Sequence, residues 1–248
     1  MRIVSWNVNG IRSVYKKGYL NIESLGDIVC IQETKASLND IPKEIKNITG
    51  FKSFFSSPIR KGYSGVAVYT KIEPKNVSYS IGRKDFDEEG RVIILEFDNF
   101  YLFNIYFPNG KASPDRLKYK MDFYNHFLEY IENFKKNIII CCDLNTAHKD
   151  IDLARPKENE NVSGFLPEER EWIDNFLKKG FIDTFRFFNK DPGHYTWWDY
   201  KTRARERNIG WRIDYIFINE DLETSLKNST ILTDIMGSDH CPVAIDIF

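Results

Sequence analysis

The chain has 248 residues, 42% hydrophobic, 15% aromatic and 29% charged, a balance that excludes wholesale disorder and suits a globular domain with a real core. Thirty-five Lys and Arg stand against 36 Asp and Glu for a net charge of −1, so no global field recruits a polyanion and any nucleic-acid surface has to be a local patch. MRIVSWNVNG enters a strand-like run at once, without the basic and long apolar regions of an export signal, and no stretch reaches the ~20 apolar residues of a membrane helix.

In chain order, short runs rich in Val, Ile, Tyr and Phe predict strands over Arg2–Val8, Asp27–Gln32, Phe51–Ser56, Gly65–Thr70, Arg91–Phe97, Phe100–Phe107, Asn137–Cys142, Ile213–Ile218 and Val243–Ile247. Only Asp98-Asn99 separates the fifth run from the sixth, which predicts a hairpin and a partly antiparallel sheet. Helices are expected over Ser37–Ile48, over Leu117–Phe134 behind Ser113-Pro114, and from Pro167-Glu168-Glu169 to Lys178-Lys179-Gly180. Cys30, Cys141, Cys142 and Cys241 lie in or beside apolar runs without zinc spacing, and read as reduced core residues of a cytoplasmic protein. No repeat or linker divides the chain. A single α/β domain over residues 1–248 is expected, with two packed sheets flanked by helices.

Polar residues fall at the ends of the apolar runs: Asn7 and Asn9 after the first, Glu33 after the second, Asn109 after Tyr106-Phe107, Asp143 and Asn145 after Ile138–Cys142. Strand ends deliver side chains to a common crevice, and a hard cation such as Mg²⁺ takes one or two carboxylates with other oxygens. Glu33 is the best single candidate ligand, although taken alone it reads more readily as a helix cap. In an extended Asp143-Leu144-Asn145 the two polar side chains share one side, where a carboxylate beside an amide could orient water and take its proton; a structural turn is the plain alternative. Asp214, in a run apolar on both faces, needs a partner, and His240 in Gly237-Ser238-Asp239-His240 is the candidate. No Gly-x-Ser-x-Gly elbow accompanies the pair, which argues against a serine hydrolase.

Two segments are locally basic. Lys201–Arg212 holds five basic residues against one acidic, and Lys111–Lys120, with Arg116 and Lys118, holds four against one. A charge run is usually a solvated face. The first is bracketed by Trp197-Trp198 and Trp211, however, and rings among basic residues suit phosphate tracking beside an apolar sugar pocket.

The motifs WNVNGIR, IQETK, NIYFPNG, CCDLNTAHKDIDL, FLPEEREW, YTWWDY, NIGWRIDYIFI and GSDHCPV, in this order over essentially the whole chain, resemble the exonuclease III family of apurinic/apyrimidinic endonucleases. The resemblance implies a four-layer α/β sandwich of the DNase I-like fold. It implies Mg²⁺-dependent hydrolysis (Mn²⁺ substituting) of the phosphodiester 5′ to an abasic site in double-stranded DNA by a monomer. By the same resemblance, Glu33, Asn7, Asn9 and Asp239 lie at the metal, Asp143 activates water, and Asn145 steadies it or the phosphate. Tyr106 and Asn109 contact phosphate, while His240, oriented by Asp214, stabilises charge on the phosphoryl oxygens. Trp197, Trp211 and Ile213 receive the baseless sugar, with Arg116, Lys118 and Lys201 as further substrate contacts.

The weighting of 3′→5′ exonuclease, 3′-phosphatase and nicking at damaged bases such as uracil stays open at this stage. So do two other readings: a lipid or inositol phosphodiesterase sharing the Glu, Asp-x-Asn and Ser-Asp-His motifs, and a DNA-binding or redox protein without nuclease chemistry. The complete polar set and the absence of an extension before Met1 disfavour the last.

Overall fold

The computed structural model describes residues 1–60, 62–135 and 137–248. Its strands are β1 (Arg2–Asn7), β2 (Ile28–Gln32), β3 (Lys52–Ser56), β4 (Val66–Thr70), β5 (Asn76–Ser78), β6 (Val92–Glu96), β7 (Phe100–Tyr106), β8 (Asn137–Asp143), β9 (Phe181–Asp183), β10 (Trp197–Trp198), β11 (Gly210–Trp211), β12 (Asp214–Asn219), β13 (Leu226–Ile231) and β14 (Val243–Ile247). Two six-stranded mixed sheets form, in the orders β13-β14-β1-β2-β4-β3 and β5-β6-β7-β8-β12-β9; β10 and β11 make a separate two-stranded ribbon.

The sheets pack face to face through Ile3, Cys30, Val68, Leu102, Ile139 and Ile216, while helices cover both outer faces. Val4, Trp6 and Ile31 turn outward toward the short helices Ile11–Lys16 and Lys43–Lys46; Phe103 and Phe107 pack on the helices Pro114–Ile131 and Pro167–Lys178. Central strands are therefore apolar on both faces, which is why they read as continuous runs and not as alternating patterns. Between the sheets, Gln32 Nε2 donates to Ser5 Oγ at 2.9 Å and Asn104 Oδ1 at 2.8 Å, and Asn104 Nδ2 donates to the carbonyls of Ile31 and Ala67. These bonds link β1, β2, β4 and β7 in one buried network, fixing the sheet register just beneath Glu33.

All nine expected strands are present within a residue or two. The Asp98-Asn99 hairpin joins β6 to β7, and all four cysteines are buried and unpaired. Five strands were not foreseen: β5, β9, β10, β11 and β13. Four of them are two or three residues long, and β13, LKNSTI, is a partly exposed edge strand without an apolar period. Ser113 caps the helix Pro114–Ile131 by accepting from the Arg116 N–H, and that helix stops short of the expected Phe134. The helix expected over Ser37–Ile48 is broken into a short turn at Leu38–Asp40 and a single turn at Lys43–Lys46. Pro42 explains the break, since it has no N–H to give and holds Ile41 before it extended at φ −82°, ψ 126°.

One rim gathers the strand ends. The parallel pairs β1/β2 and β7/β8 finish there, and the antiparallel β12 and β14 begin there.

Candidate active site

Each functional side chain rides on a rigid strand end. Asn7 closes β1, Tyr106 closes β7 and Asp143 closes β8; Asp214 opens β12 directly across from Asp143, and His240 comes from the turn before β14. Asn7 Nδ2 donates to Asp143 Oδ2 at 2.7 Å and to Glu33 Oε1 at 3.2 Å, so one amide joins two carboxylates. The Tyr106 hydroxyl also donates to Glu33 Oε1. His240 Nδ1 lies 2.8 Å from Asp214 Oδ2, which accepts from Thr196 Oγ1 at 2.6 Å as well. Ser238 Oγ donates to the Asn7 carbonyl and accepts from the His240 N–H, tying the histidine turn to β1.

The Asp143-Leu144-Asn145 segment is not extended as the sequence suggested. Asn145 takes φ 55°, and its backbone N–H bonds Asp143 Oδ1 at 2.9 Å, so the turn geometry and the site coincide. Asn145 Nδ2 donates to the Phe107 carbonyl and its Oδ1 accepts from Asn109 Nδ2 at 3.0 Å. Asn9, Glu33 and Lys35 also have left-handed backbones, at φ 45°, 52° and 50°. Four such non-glycine residues around one cleft store strain of order 1 kcal/mol each, held by the surrounding sheets.

The electrostatics are crowded. Burial raises the Asp143 carboxyl to about 7, with the charge of Asp214 acting in the same direction. Burial alone would depress the His240 imidazole, but Asp214 outweighs it and lifts the group to about 10, so it is a cation at neutral pH. Glu33 and Asp239 stay below the ordinary carboxyl range despite burial, the first through Lys35 and the second through His240. Asp214 Oδ1 is buried without a hydrogen-bond partner. The ligand atoms of Asp143, Asp214 and His240 lie within 4.8 Å of one another. Oxygen donors in excess of nearby cations, with Asp143 driven toward protonation, are the surroundings a hard divalent ion relieves.

Beside this set opens a cleft of about 210 Å³ lined by Asn109, Lys111, Gly164, Trp197, Trp211 and Ile213, with Glu33, Asn145 and His240 on its polar side. Trp197 and Trp211 are register partners in the β10/β11 ribbon, with ring centroids 6.4 Å apart and nearly perpendicular. Trp197 Nε1 donates to Asp239 Oδ2 at 3.0 Å, and Asp239 Oδ1 accepts from Asn9 Nδ2 at 2.9 Å.

The basic segments fare differently. Arg212 is buried on Asp152 and Asp183, Lys120 is buried on Glu169, and Arg205 donates to the carbonyls of Thr233 and Ile235, so these three are structural. Arg116 pairs with Glu89 and the Tyr63 hydroxyl, Lys118 pairs with Asp122 on an exposed helix face, and Lys201 is exposed; all three lie outside the cleft lining. The sequence reading missed Lys35, whose Nζ is 2.7 Å from Glu33 Oε2 and also bonds Asn9 Oδ1, and Thr196, which holds Asp214. Both were within quoted motifs, Lys35 in IQETK and Thr196 in YTWWDY, but neither carries a role that its residue type alone announces.

Residues 4–240 match the endonuclease/exonuclease/phosphatase family. The chain belongs to that family. Within it, the chain is 44% identical over 254 residues to an exodeoxyribonuclease of Bacillus subtilis, covering 100% of this chain and 99% of that protein. It is 41% identical to the DNA repair nuclease APEX1 of Danio rerio, over 99% of this chain and 81% of that one. Among solved structures it superposes on an AP endonuclease from Archaeoglobus fulgidus with TM-score 0.90 and 28% identity, covering 100% and 99% of the two chains. A 3′ phosphatase from Neisseria bound to a product DNA hairpin matches with TM-score 0.91 and 26% identity over 100% and 99%. The four-layer sandwich is thus the family fold, and among the described residues no helix is long and apolar enough to cross a membrane.

Proposed function

We propose that this chain is a Mg²⁺-dependent DNA repair nuclease of base excision repair, with Mn²⁺ as an alternative ion. It hydrolyses the phosphodiester 5′ to an abasic site in duplex DNA and trims 3′ ends. The observation that carries the reading is the junction of two features: a carboxylate, amide and imidazolium set suited to phosphodiester hydrolysis, and a ring-walled cleft of about 210 Å³ immediately beside it. The relatives named exodeoxyribonuclease and DNA repair nuclease support it.

Glu33, Asn7, Asn9 and Asp239 would hold the ion, which would supply neutralisation of phosphoryl charge. Asp143 takes the proton of the attacking water, its two oxygens held in place by Asn7 Nδ2 and the Asn145 N–H. With Nδ1 committed to Asp214, the protonated His240 donates from Nε2 to a phosphoryl oxygen, a charge-assisted contact in a water-poor site. Tyr106 and Asn109 place the phosphate. Trp197, Trp211 and Ile213 receive a sugar without its base, which costs less to flip out than a paired nucleotide. Lys118, Lys201 and Arg116, outside the cleft, meet flanking phosphates. We read it as a monomeric, single-domain enzyme, and four unpaired buried cysteines suit a reducing cytoplasm.

The test is a panel of end-labelled duplexes with a tetrahydrofuran abasic analogue, a uracil or no lesion, incubated with Mg²⁺ or with EDTA. Incision one bond 5′ to the analogue, in metal only, is expected; a protein that leaves this substrate whole while cutting a soluble phosphodiester belongs with the lipid or inositol enzymes instead.

A further inference from the structure

Tyr106 closes β7, and its hydroxyl can serve the site only if its ring is held in place. Arg91 stands across from it, just ahead of β6. The Tyr106 N–H donates to the Arg91 carbonyl at 2.9 Å, and Arg91 Nη1 donates back to the Tyr106 carbonyl at 2.9 Å. The guanidinium carbon lies 4.8 Å from the Tyr106 ring centroid, so one side chain grips the backbone of this tyrosine and covers its ring. Arg91 is 1% exposed, and its other donors are also committed: Nε to Glu89 Oε2 at 2.5 Å and Nη2 to the Tyr63 hydroxyl at 3.0 Å. Glu89 Oε1 accepts from Arg116 Nη1 at 3.1 Å, and the Tyr63 hydroxyl accepts from Arg116 Nη2 at 2.8 Å, so a single carboxylate is shared between two guanidiniums.

A buried arginine on a carboxylate is commonly scaffold, and Arg212, locked between Asp152 and Asp183, is one. Arg91 differs in what it touches. Its fork is spent on a residue that bonds Glu33, and its half share of Glu89 leaves net positive charge against the Tyr106 ring. We propose that Arg91 is a positioning residue for the reaction: it locks Tyr106 so that the hydroxyl bonded to Glu33 is aimed at a phosphoryl oxygen of the bound substrate, while Glu89 and Tyr63 hold the guanidinium in turn. The inference rests on the phosphate contact proposed for Tyr106 above. A lysine could supply the charge but not the planar fork that reaches a carbonyl, a carboxylate and a hydroxyl at once.

The experiment is a double-mutant cycle on single-turnover cleavage of a duplex with an internal tetrahydrofuran site at saturating Mg²⁺, using the wild type, Arg91→Lys, Tyr106→Phe and the double variant. Equilibrium DNA binding and thermal melting accompany each protein. Arg91→Lys should slow the chemical step by about tenfold or more and change DNA affinity by less than about threefold, because a misaimed hydroxyl costs rate and not encounter. In the Tyr106→Phe background the same change should cost less than about twofold, since the group that Arg91 positions is gone. Glu89→Gln, which loosens the guanidinium without removing it, should repeat the pattern at about threefold, and it carries the test should Arg91→Lys fail to fold. Equal losses with and without the Tyr106 hydroxyl overturn the inference and leave Arg91 a scaffold residue, as does a loss confined to DNA affinity or a variant that cleaves at the wild-type rate. A Tyr106→Phe protein that itself cleaves at the wild-type rate would instead refute the role given to Tyr106 beneath it.

Discussion

Asp143 and Asp214 stand directly opposite each other across the antiparallel β8/β12 pair, two buried carboxylates at a position where like charges destabilise a sheet. His240 answers one of them by bonding Asp214, and the other is left with a raised pKa. The sheets are built to tolerate this because each strand is fixed elsewhere along its length by apolar packing on both faces. Repulsion at the strand ends is therefore a standing property of the folded chain, one that catalysis can use and stability bears.

It follows that Asp143→Asn should separate activity from folding. The variant keeps nearly the same shape and loses the base, so single-turnover cleavage of an abasic duplex should slow by about 10²-fold or more. Binding should survive or tighten, because a negative charge beside the phosphate has gone. Melting should move little, because the repulsion removed is offset by an amide NH2 set against one of the two N–H donors, Asn7 Nδ2 or the Asn145 N–H, that the carboxylate accepts from. A folded variant that cleaves at the wild-type rate would make Asp143 a turn residue only.

Divalent ions should act on the protein alone as well as on the reaction. Mg²⁺ or Mn²⁺ should raise the melting temperature by relieving the carboxylate crowding, with EDTA reversing the shift and abolishing cleavage. Glu33→Gln should raise the metal concentration needed for both effects. Unchanged cleavage in excess chelator would place the chemistry on protein groups alone.

Much of this site was legible because it sits at strand ends. Apolar runs such as Ile28–Gln32 and Asn137–Asp143 fix the strands, and the first polar residue after each is delivered to the rim. The Asp214–His240 pair was legible for a different reason: a carboxylate inside an apolar run demands a partner. What could not be read was the destination of long basic side chains. Arg212 and Lys111 lie in similarly basic segments, yet one is locked between two aspartates and the other stands over two rings, because three-dimensional partners decide where a flexible side chain ends. Asn145 was placed on an extended segment although Asn is the non-glycine residue that most readily takes a left-handed backbone, so the turn offered as the plain alternative is the one the structure shows.

The two neighbouring tryptophans of β10 should behave oppositely under mutation. Trp198 is buried with Tyr195, Ala204 and Cys241, so Trp198→Ala should destabilise the fold by about 3–5 kcal/mol. Trp197 and its partner Trp211 line the cleft half-exposed, and Trp211→Ala should lower discrimination between abasic and intact duplex by about tenfold with a smaller loss of stability. Paired binding and urea-melting measurements check this. A Trp211→Ala protein that melts as badly as Trp198→Ala yet keeps its selectivity would make both rings core.

The wall carrying Trp211 and Ile213 is anchored by the residue between them, and that anchor predicts an acid-sensitive fold. Arg212 Nε is 2.7 Å from Asp152 Oδ1, an oxygen that Arg186 approaches to 2.6 Å, and the other end of Arg212 grips Asp183. Burial would raise the Asp152 carboxyl, but the Arg212 charge and hydrogen bond, with Arg186, outweigh it and hold the group at about 2. A folded-state pKa below the unfolded value of about 3.9 contributes stability that is fully present above that value and is lost as pH falls through 2. The size is roughly 2 kcal/mol, undiscounted for solvent because the carboxylate is almost wholly buried. Asp152→Asn should therefore cost about 3–5 kcal/mol at neutral pH, where it leaves the Arg212 guanidinium under-compensated, and should flatten the decline of stability between pH 4 and pH 2. Urea melts of both proteins across that range provide the measurement. If the variant declines as steeply as the wild type, the acid sensitivity lies in other carboxylates, and Asp152 is no more than a hydrogen-bond acceptor in the cleft wall.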